Sequence, residues 1–292
     1  MPNIKAWLTG IIGALGLGLL LFYGQRYLSP EPVYKLDRTV RYGYTVSNTA
    51  NTVLNDAEFW VYAPVKQTAT QKVVNLTASI PFDLKEDALG NQVMHFRLPT
   101  LAPYAAKVIS ITAELKLAAQ PNAGFAPDNG QFTQAERYIE SEAPDIKAKA
   151  TELLSDQNHE KALFEWVGQH IQFSRYVRED LGALHALQQQ QGDCTESAYL
   201  FTALARAAGR PSRALGGFVH EHNAVLKAED YHNWAEYYDG HTWRLSDPQN
   251  KVFDQNYASY IAMRIITQAE NSLLDSSHRF AYSGPSLHIA MN

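Results

Sequence analysis

Cys194, His232 and Asp247 are of the residue types that together carry out nucleophilic acyl transfer. Cys194 is the only cysteine among 292 residues, so it forms no disulfide within the chain. A lone thiol is more often a small buried hydrophobe than a nucleophile. The segments around the three residues therefore decide which interpretation applies.

The segment around Cys194 predicts a helix that begins at this residue. Asp193 is a typical N-cap, and Glu196 three residues later completes an acidic capping box. Gly209 suits the left-handed position after a helix. The run at 197–208 is apolar on most sides, which predicts burial in the middle of a domain. Because the start of a helix favours an anion, we expect Cys194 to have the thiolate character that a nucleophile needs.

Two aromatic-rich segments flank Asp239 and Gly240, a dipeptide that predicts a hairpin with a two-residue turn. With that turn His232 lies directly opposite Asp247, and opposed side chains have Cβ atoms about 4.5–5.5 Å apart. The carboxylate would then hold the imidazole and stabilise its protonated form. A four-residue loop that begins at Asp239 is the alternative; it sets Asp247 opposite Trp234 and leaves His232 as a diagonal neighbour. A purely structural His–Asp pair that closes the hairpin is the other interpretation.

These segments together resemble the transglutaminase-like superfamily in its bacterial form. The matching segments, in the order of the family, are 182–183 with 187, 192–196, 204–213, 216–219, 232–236, 243 and 247–248. The resemblance implies a papain-like α+β core with a cysteine at a helix N-terminus and a histidine and an aspartate on adjacent strands. It also implies that Cys194, His232 and Asp247 are the catalytic triad, working without a cofactor. Asn233 departs from the pattern, because alanine or another small residue is common there.

The reaction implied by the resemblance is thiol-dependent acyl transfer or hydrolysis at a protein or peptide amide, through an acyl-enzyme intermediate. The expected enzyme is a cysteine acyltransferase, peptidase or amidase, and its expected partner is a protein or peptide substrate. Trp234 and Trp243 are predicted to line the substrate cleft, with a place in the core as the alternative. His220 and His222, together with His232 or Cys194, have a spacing that could bind zinc. The alternative is that these histidines lie in a loop and are exposed to solvent.

Residues 6–23 carry no charge and are long enough, at about 1.5 Å per residue, to span a hydrocarbon core of about 30 Å. We predict an uncleaved single-pass transmembrane anchor at 1–28; a cleaved signal peptide is the alternative. Lys5 precedes the apolar run and Arg26 follows it, so the positive charges barely orient the helix. A short anchor before one large polar body is typical of exported domains. The expected location is therefore the inner membrane of a bacterium, with the body in the periplasm.

The segment between the anchor and the triad predicts two further features. Residues 33–120 contain alternating patterns such as 40–46 and 109–117, and five or more strands without a helix indicate a β-sandwich domain. No residues in this domain indicate chemistry, so we interpret it as a spacer or as a docking module for other membrane proteins. The breaker-rich segment at 121–130 marks the boundary to a catalytic domain at 131–292.

Composition narrows the functional classes further. The net charge is −5 and no Lys/Arg-rich run occurs, which excludes nucleic acid as an expected partner. Towards the end of the chain, 257–268 predicts a helix and 287–291 a strand. The non-enzymatic alternative is a membrane-anchored assembly protein that uses the same fold for binding. The intact set of three chemical residues favours the enzyme.

Overall fold

A computed structural model of the chain describes residues 31–128, 130–154, 158–174, 179–267, 274 and 278–292. The predicted anchor at 6–23 lies outside these residues. Within the described ranges, no helix is long and apolar enough to cross a membrane.

The first half of the described chain consists of strands, as its alternating patterns predict. They are β1 (Leu36–Asn48), β2 (Leu54–Ala63), β3 (Gln71–Ala78), β4 (Phe82–Glu86), β5 (Gln92–Leu101) and β6 (Ala106–Leu117). Strand β1 pairs antiparallel with β6, which also pairs with β3; β5 lies between β2 and β4 in the other sheet. The inward side chains of β1 and β6 pack in the same core as those of β2 and β5, which makes this half a β-sandwich.

The second half contains four helices and the remaining strands. The helices are α1 (Pro144–Glu152), α2 (His159–His170), α3 (Ala183–Gln189) and α4 (Cys194–Ala207). The strands are β7 (Gln172–Phe173), β8 (Gln191–Gly192), β9 (Ser212–Val219), β10 (Ala224–Val225), β11 (Tyr231–Tyr238), β12 (Trp243–Asp247), β13 (Val252–Phe253), β14 (Tyr260–Ile265), β15 (Phe280–Tyr282) and β16 (Leu287–Met291). Short 3-10 helices occur at Ala228–Asp230 and Tyr257–Ser259.

Helix α4 is the centre of this second half. One side packs on a five-stranded sheet of order β13-β12-β11-β9-β14, and the other sides contact α1, α2 and α3. Its apolar residues are buried all round, which the sequence of the helix predicts. Helices on one side of an antiparallel sheet confirm the predicted α+β class.

The two halves share a core. Residues 34–292 form one compact unit, and Phe218 and Ile261 of the second half pack among the side chains of the sandwich. At the end of the chain, β15 pairs with β2 and β16 pairs with β1. The division into domains at 33–120 and 131–292 thus stays a prediction from sequence pattern, since the last strands complete the sheets of the first half.

The predicted two-residue turn of the β11–β12 hairpin is wrong. Tyr238 pairs with Trp243 instead of His241, so the loop has four residues. The physical reason is the side chain of Asp239, whose Oδ1 accepts hydrogen bonds from the N–H groups of both His241 and Thr242, each at 2.8 Å. Continued by one pair, this register sets Asp247 opposite Trp234, as the alternative interpretation has it.

The predicted helix at 257–268 is also wrong. Its residues form a short 3-10 turn and then β14, whose six residues are all buried beside β9. Ile261 and Ile265 are β-branched and lie in the middle of the core, which favours a strand for this segment. Tertiary packing therefore overrides the local helical pattern. The strand predicted at 287–291 is confirmed as β16.

Candidate active site

Cys194 occupies the first turn of α4 and borders a cleft of about 540 Å³. The predicted capping box is present: Asp193 Oδ1 accepts from the N–H of Thr195 at 2.7 Å, and Glu196 Oε2 accepts from the N–H of Asp193 at 3.1 Å. The capping box therefore binds the N–H groups of the residues before and after Cys194, and the N–H of Cys194 itself takes no part in it. The residue is 5% exposed, but its place in the lining of the cleft gives a reagent a route to it.

Glu196 ties the start of this helix to the preceding loop. Its carboxylate is fully buried, and its second oxygen accepts from the N–H of Leu181 at 3.0 Å. Burial raises the pKa of Glu196 to about 7, and the neighbouring charge of Asp193 acts in the same direction. The two carboxylate oxygens therefore bind two backbone N–H groups, those of Leu181 and Asp193, and this fixes the start of the helix that carries Cys194.

His232 lies on β11, next to the other two candidate catalytic residues. Its Nε2 is 2.7 Å from Asp247 Oδ2, which leaves Nδ1 for Cys194. Burial lowers the pKa of His232, but hydrogen bonds to Asp247 and Cys194 and the charges of both groups outweigh it and raise the pKa to about 9. The imidazole is therefore protonated at neutral pH and can stabilise a thiolate at Cys194.

The Asp247 carboxylate is 1% exposed and is held by residues that sequence reasoning missed. Its Oδ2 accepts from the hydroxyl of Tyr260 and from Nδ2 of Asn250, each at 2.9 Å, and its Oδ1 accepts from the Asn250 N–H at 3.1 Å. The turn signature that follows Asp247, a proline and then an asparagine, is a local signal for the Asn250 contact. Tyr260 comes from β14 and has no such signal. These donors fix the carboxylate against the imidazole.

The predicted His232–Asp247 contact is present in spite of the altered hairpin register. In the observed register the two residues are diagonal neighbours rather than opposed ones, and their side chains still meet. On the other side of β11, His232 pairs with Gly217 of β9. A side chain at Gly217 would overlap the carbonyl oxygen of Ile261 on β14, so this glycine allows the three strands under the site to lie close together.

Trp234 and Trp243 lie in the core and do not line the cleft. They are 1% and 2% exposed. Trp234 packs edge-on against Tyr260 with ring centres 5.1 Å apart, and its ring is stacked 6.4 Å from that of His232. Trp243 donates its Nε1–H to the carbonyl of Phe125 at 2.7 Å. Both side chains thus occupy the core, which is the alternative given for them, and Trp234 packs against the imidazole.

Asn233, the residue that departs from the family pattern, does line the cleft. Its Nδ2 donates to the hydroxyl of Thr195 at 2.8 Å, whereas its buried Oδ1 has no hydrogen-bond partner among the described residues. A buried acceptor without a donor costs free energy unless a ligand supplies one. The Asn233 Oδ1 can thus accept a further hydrogen bond at the cleft.

The described residues contain no group of three or more His, Cys, Asp or Glu side chains arranged to hold a metal ion. In the 220–222 segment, the His220 Nε2 lies 4.0 Å from the Asp230 carboxylate.

Comparison with known proteins agrees with this geometry. Residues 143–248 match the sequence profile of the transglutaminase-like superfamily. Over this segment the chain resembles a bacterial transglutaminase-like protein. The matched segment contains Cys194, His232 and Asp247 together with the helix and the strands that carry them. No curated protein matches the chain.

Solved structures show where the fold occurs. A proposed cysteine protease from Cytophaga hutchinsonii is 14% identical, with a TM-score of 0.56 over 88% of this chain and 92% of that one. The periplasmic domain of TgpA from Pseudomonas aeruginosa is also 14% identical, with a TM-score of 0.38 over 74% of this chain and 94% of that one. At this identity the first likeness establishes the fold alone.

Proposed function

We propose that the protein is a membrane-anchored cysteine enzyme that transfers or hydrolyses the acyl group of a protein or peptide amide. One observation carries the proposal. The His232 ring is hydrogen-bonded to the Asp247 carboxylate and lies close enough to the only thiol of the chain for the charge of that thiol to raise the pKa of His232, and the thiol borders an open cleft. This is the arrangement that a thiol nucleophile requires.

The reaction follows from the protonation states at neutral pH. The Cys194 thiolate attacks the carbonyl carbon of the amide, and the unused N–H of Cys194 is placed to donate to the oxyanion that develops. His232 transfers its Nδ1 proton to the departing nitrogen, the C–N bond breaks, and an amine leaves with the acyl group held as a thioester. Neutral His232 then takes a proton from an incoming amine or water. Attack by that nucleophile releases the acyl group and restores the ion pair.

The outcome depends on the second nucleophile. An amine gives an isopeptide bond and water gives hydrolysis, and the three residues act identically in both reactions. We propose that the enzyme works at the periplasmic face of the inner membrane. The uncharged run at 6–23 supports an anchor there. The sandwich is the part that we expect to contact other membrane proteins.

Intact-mass spectrometry tests the proposal. The protein is incubated with a panel of blocked peptides containing glutamine, asparagine or backbone amides as acyl donors, with and without an added primary amine. We expect a mass increase on Cys194 equal to the acyl group, absent in Cys194→Ala and reduced at least about a hundredfold in rate in His232→Gln. If the adduct is lost faster when the amine is present than when it is absent, the enzyme transfers the acyl group to the amine. If no adduct forms and Cys194→Ala complements a deletion strain as well as wild type, the protein is a scaffold.

A further inference from the structure

One part of the wall of the cleft carries charged groups that the proposed reaction does not use. This part consists of the short 3-10 helix before β11 and of the residues that lead into β15, a strand of the sandwich. Glu229 belongs to the first segment, and His278 and Arg279 belong to the second. The sandwich half of the protein therefore supplies part of the site in which a substrate would lie.

The carboxylates that line the cleft all have partners. Asp180 pairs with His278 Nε2 at 3.0 Å and accepts from the hydroxyl of Tyr199 at 2.7 Å. Asp193 is the N-cap of α4, and Glu229 lies 3.7 Å from Lys227. Their negative charge is thus engaged within the protein.

Arg279 differs from these groups. Its guanidinium donates to the carbonyl of Ala228 at 3.0 Å and lies over the ring of Tyr231, 5.7 Å from its centre. It forms no ion pair with any carboxylate in the part of the chain that the structure describes. A guanidinium has five N–H donors in a planar fork, so most of them remain for a ligand. The ring and the carbonyl orient that fork in advance.

Tyr231 connects the arginine to the nucleophile. It directly precedes His232 and lines the same cleft as Cys194. Burial raises the pKa of the Tyr231 hydroxyl; the charge of Cys194 adds to this shift, and the charge of Arg279 acts against it. The hydroxyl donates to the carbonyl of His278, the residue before Arg279, at 3.1 Å. Because Arg279 and Cys194 line one cleft, one bound molecule could contact both.

We propose that Arg279 is an anion subsite that binds a carboxylate of the acyl donor, so that the substrate is an acidic peptide. A carboxylate is the planar anion that matches the guanidinium fork in a bidentate manner. It comes either from an Asp or Glu side chain beside the acylated residue or from a free C-terminus. This inference deepens the proposed function and rests on it for the identity of the substrate, but the presence of an anion subsite is testable without acyl transfer.

The first experiment compares two alkylating reagents of similar size and different charge on the single thiol of the full chain. Iodoacetate is an anion and iodoacetamide is neutral, and intact mass gives the rate constant for each at pH 7. We expect Arg279→Gln to lower the ratio of the iodoacetate rate to the iodoacetamide rate about tenfold, through loss of one nearby charge in a partly buried cleft. The iodoacetamide rate itself should stay within about twofold, which also shows that the cleft remains folded.

Two further variants serve as controls. Arg97→Gln removes the same charge from the sandwich, where Arg97 pairs with Glu58 and Asp83 and does not line the cleft. It should leave the ratio unchanged. Arg279→Lys keeps the charge and should keep most of the ratio. The proposed subsite is contradicted if Arg279→Gln changes the ratio less than twofold or slows both reagents equally. It is also contradicted if Arg97→Gln lowers the ratio as much as Arg279→Gln does.

The second experiment uses the peptide that acylates Cys194 fastest and separates the two sources of carboxylate. One version has Glu beside the acylated residue and an amidated C-terminus, one has norleucine there and a free C-terminus, and one has neither carboxylate. We expect one acidic version to react at least about tenfold faster than the neutral one, and Arg279→Gln to remove that advantage. Equal rates for all three overturn the peptide assignment. If no peptide reacts, the proposed function fails, while the reagent pair still decides whether the subsite exists.

Discussion

Replacement of Asp247 by asparagine removes the charge that holds His232 protonated while keeping the shape of the site. In the wild type, three donors converge on Asp247 Oδ2 at 2.7–2.9 Å. The amide oxygen of asparagine can take that position and still accept from His232 and Tyr260. Its amide nitrogen would then meet the Asn250 N–H, which in the wild type donates to Oδ1 at 3.1 Å. The main loss is therefore the charge, with one donor–donor contact beside it.

The size of the effect follows from the hydrogen bond that loses its charge. Hydrogen bonds to charged groups contribute about 1.5–3 kcal/mol. Since 1.36 kcal/mol corresponds to one pKa unit, the pKa of His232 should fall by about one to two units. It is about 9 in the wild type, so we expect about 7 to 8 in Asp247→Asn.

NMR titration of protein labelled with ¹³C at the histidine Cε1 measures this pKa directly. The chain has ten histidines, and the His232 signal is identified by its absence from His232→Gln. Tyr260→Phe is the matched control, because it removes one donor from the same carboxylate and keeps the charge. In that variant the pKa of His232 should stay at the wild-type value or rise slightly.

Two results would refute the reasoning. One is a His232 pKa that is the same in Asp247→Asn and in the wild type, which would mean that the carboxylate does not hold the imidazolium. The other is an equal fall in Tyr260→Phe, which would assign the effect to disruption of the site and not to charge.

Three further predictions concern stability. Gly217→Ala should lower the free energy of unfolding, measured by urea denaturation, by about 1–3 kcal/mol, because the new Cβ overlaps the Ile261 carbonyl oxygen. A variant as stable as the wild type would contradict the close approach of the strands. Arg206→Met should lower the free energy of unfolding by about 3–5 kcal/mol in the same assay. The buried guanidinium pairs with Glu136 at 2.8 Å and donates to the Ser212 carbonyl at 2.8 Å, and the variant loses both contacts. A loss below about 1 kcal/mol would contradict a stabilising role for these contacts. The pKa of His232 is higher in the folded protein than its unfolded value of about 6.5, so its stabilisation is fully present below pH 6.5 and lost as pH rises through about 9. Urea unfolding of Cys194→Ala, which has no thiol to titrate over the same range, should show a loss of about 1.5–3 kcal/mol between pH 6 and pH 10, the contribution of a hydrogen bond to a charged group, that is missing when His232→Gln is added; an equal loss in both variants would contradict the assignment.

The helix start at Cys194 was predictable because its signals are local. A cap, a partner three residues later and a buried apolar run all lie within one short segment, and the capping box is present as predicted. The contact between His232 and Asp247 was also predictable, although through the wrong turn. The loop lengthened because Asp239 binds two backbone N–H groups, and long side chains bridge the resulting diagonal offset.

The rest of the site depends on contacts between distant parts of the chain. Tyr260 reaches Asp247 from a strand that local pattern assigned to a helix, and Arg279 reaches the cleft from the edge of the sandwich. Neither residue has a neighbouring motif that indicates its role. Trp234 and Trp243 illustrate the opposite case: aromatic residues next to catalytic ones look like substrate contacts, but their size makes the core the more favourable place.

The rate of alkylation of Cys194 tests the central claim most directly. Because the chain has one thiol, iodoacetamide labelling followed by intact mass reports on Cys194 alone. If protonated His232 activates the thiol, the rate constant at pH 7 should be at least about tenfold higher in the wild type than in His232→Gln. Equal rate constants in the two proteins would contradict the account.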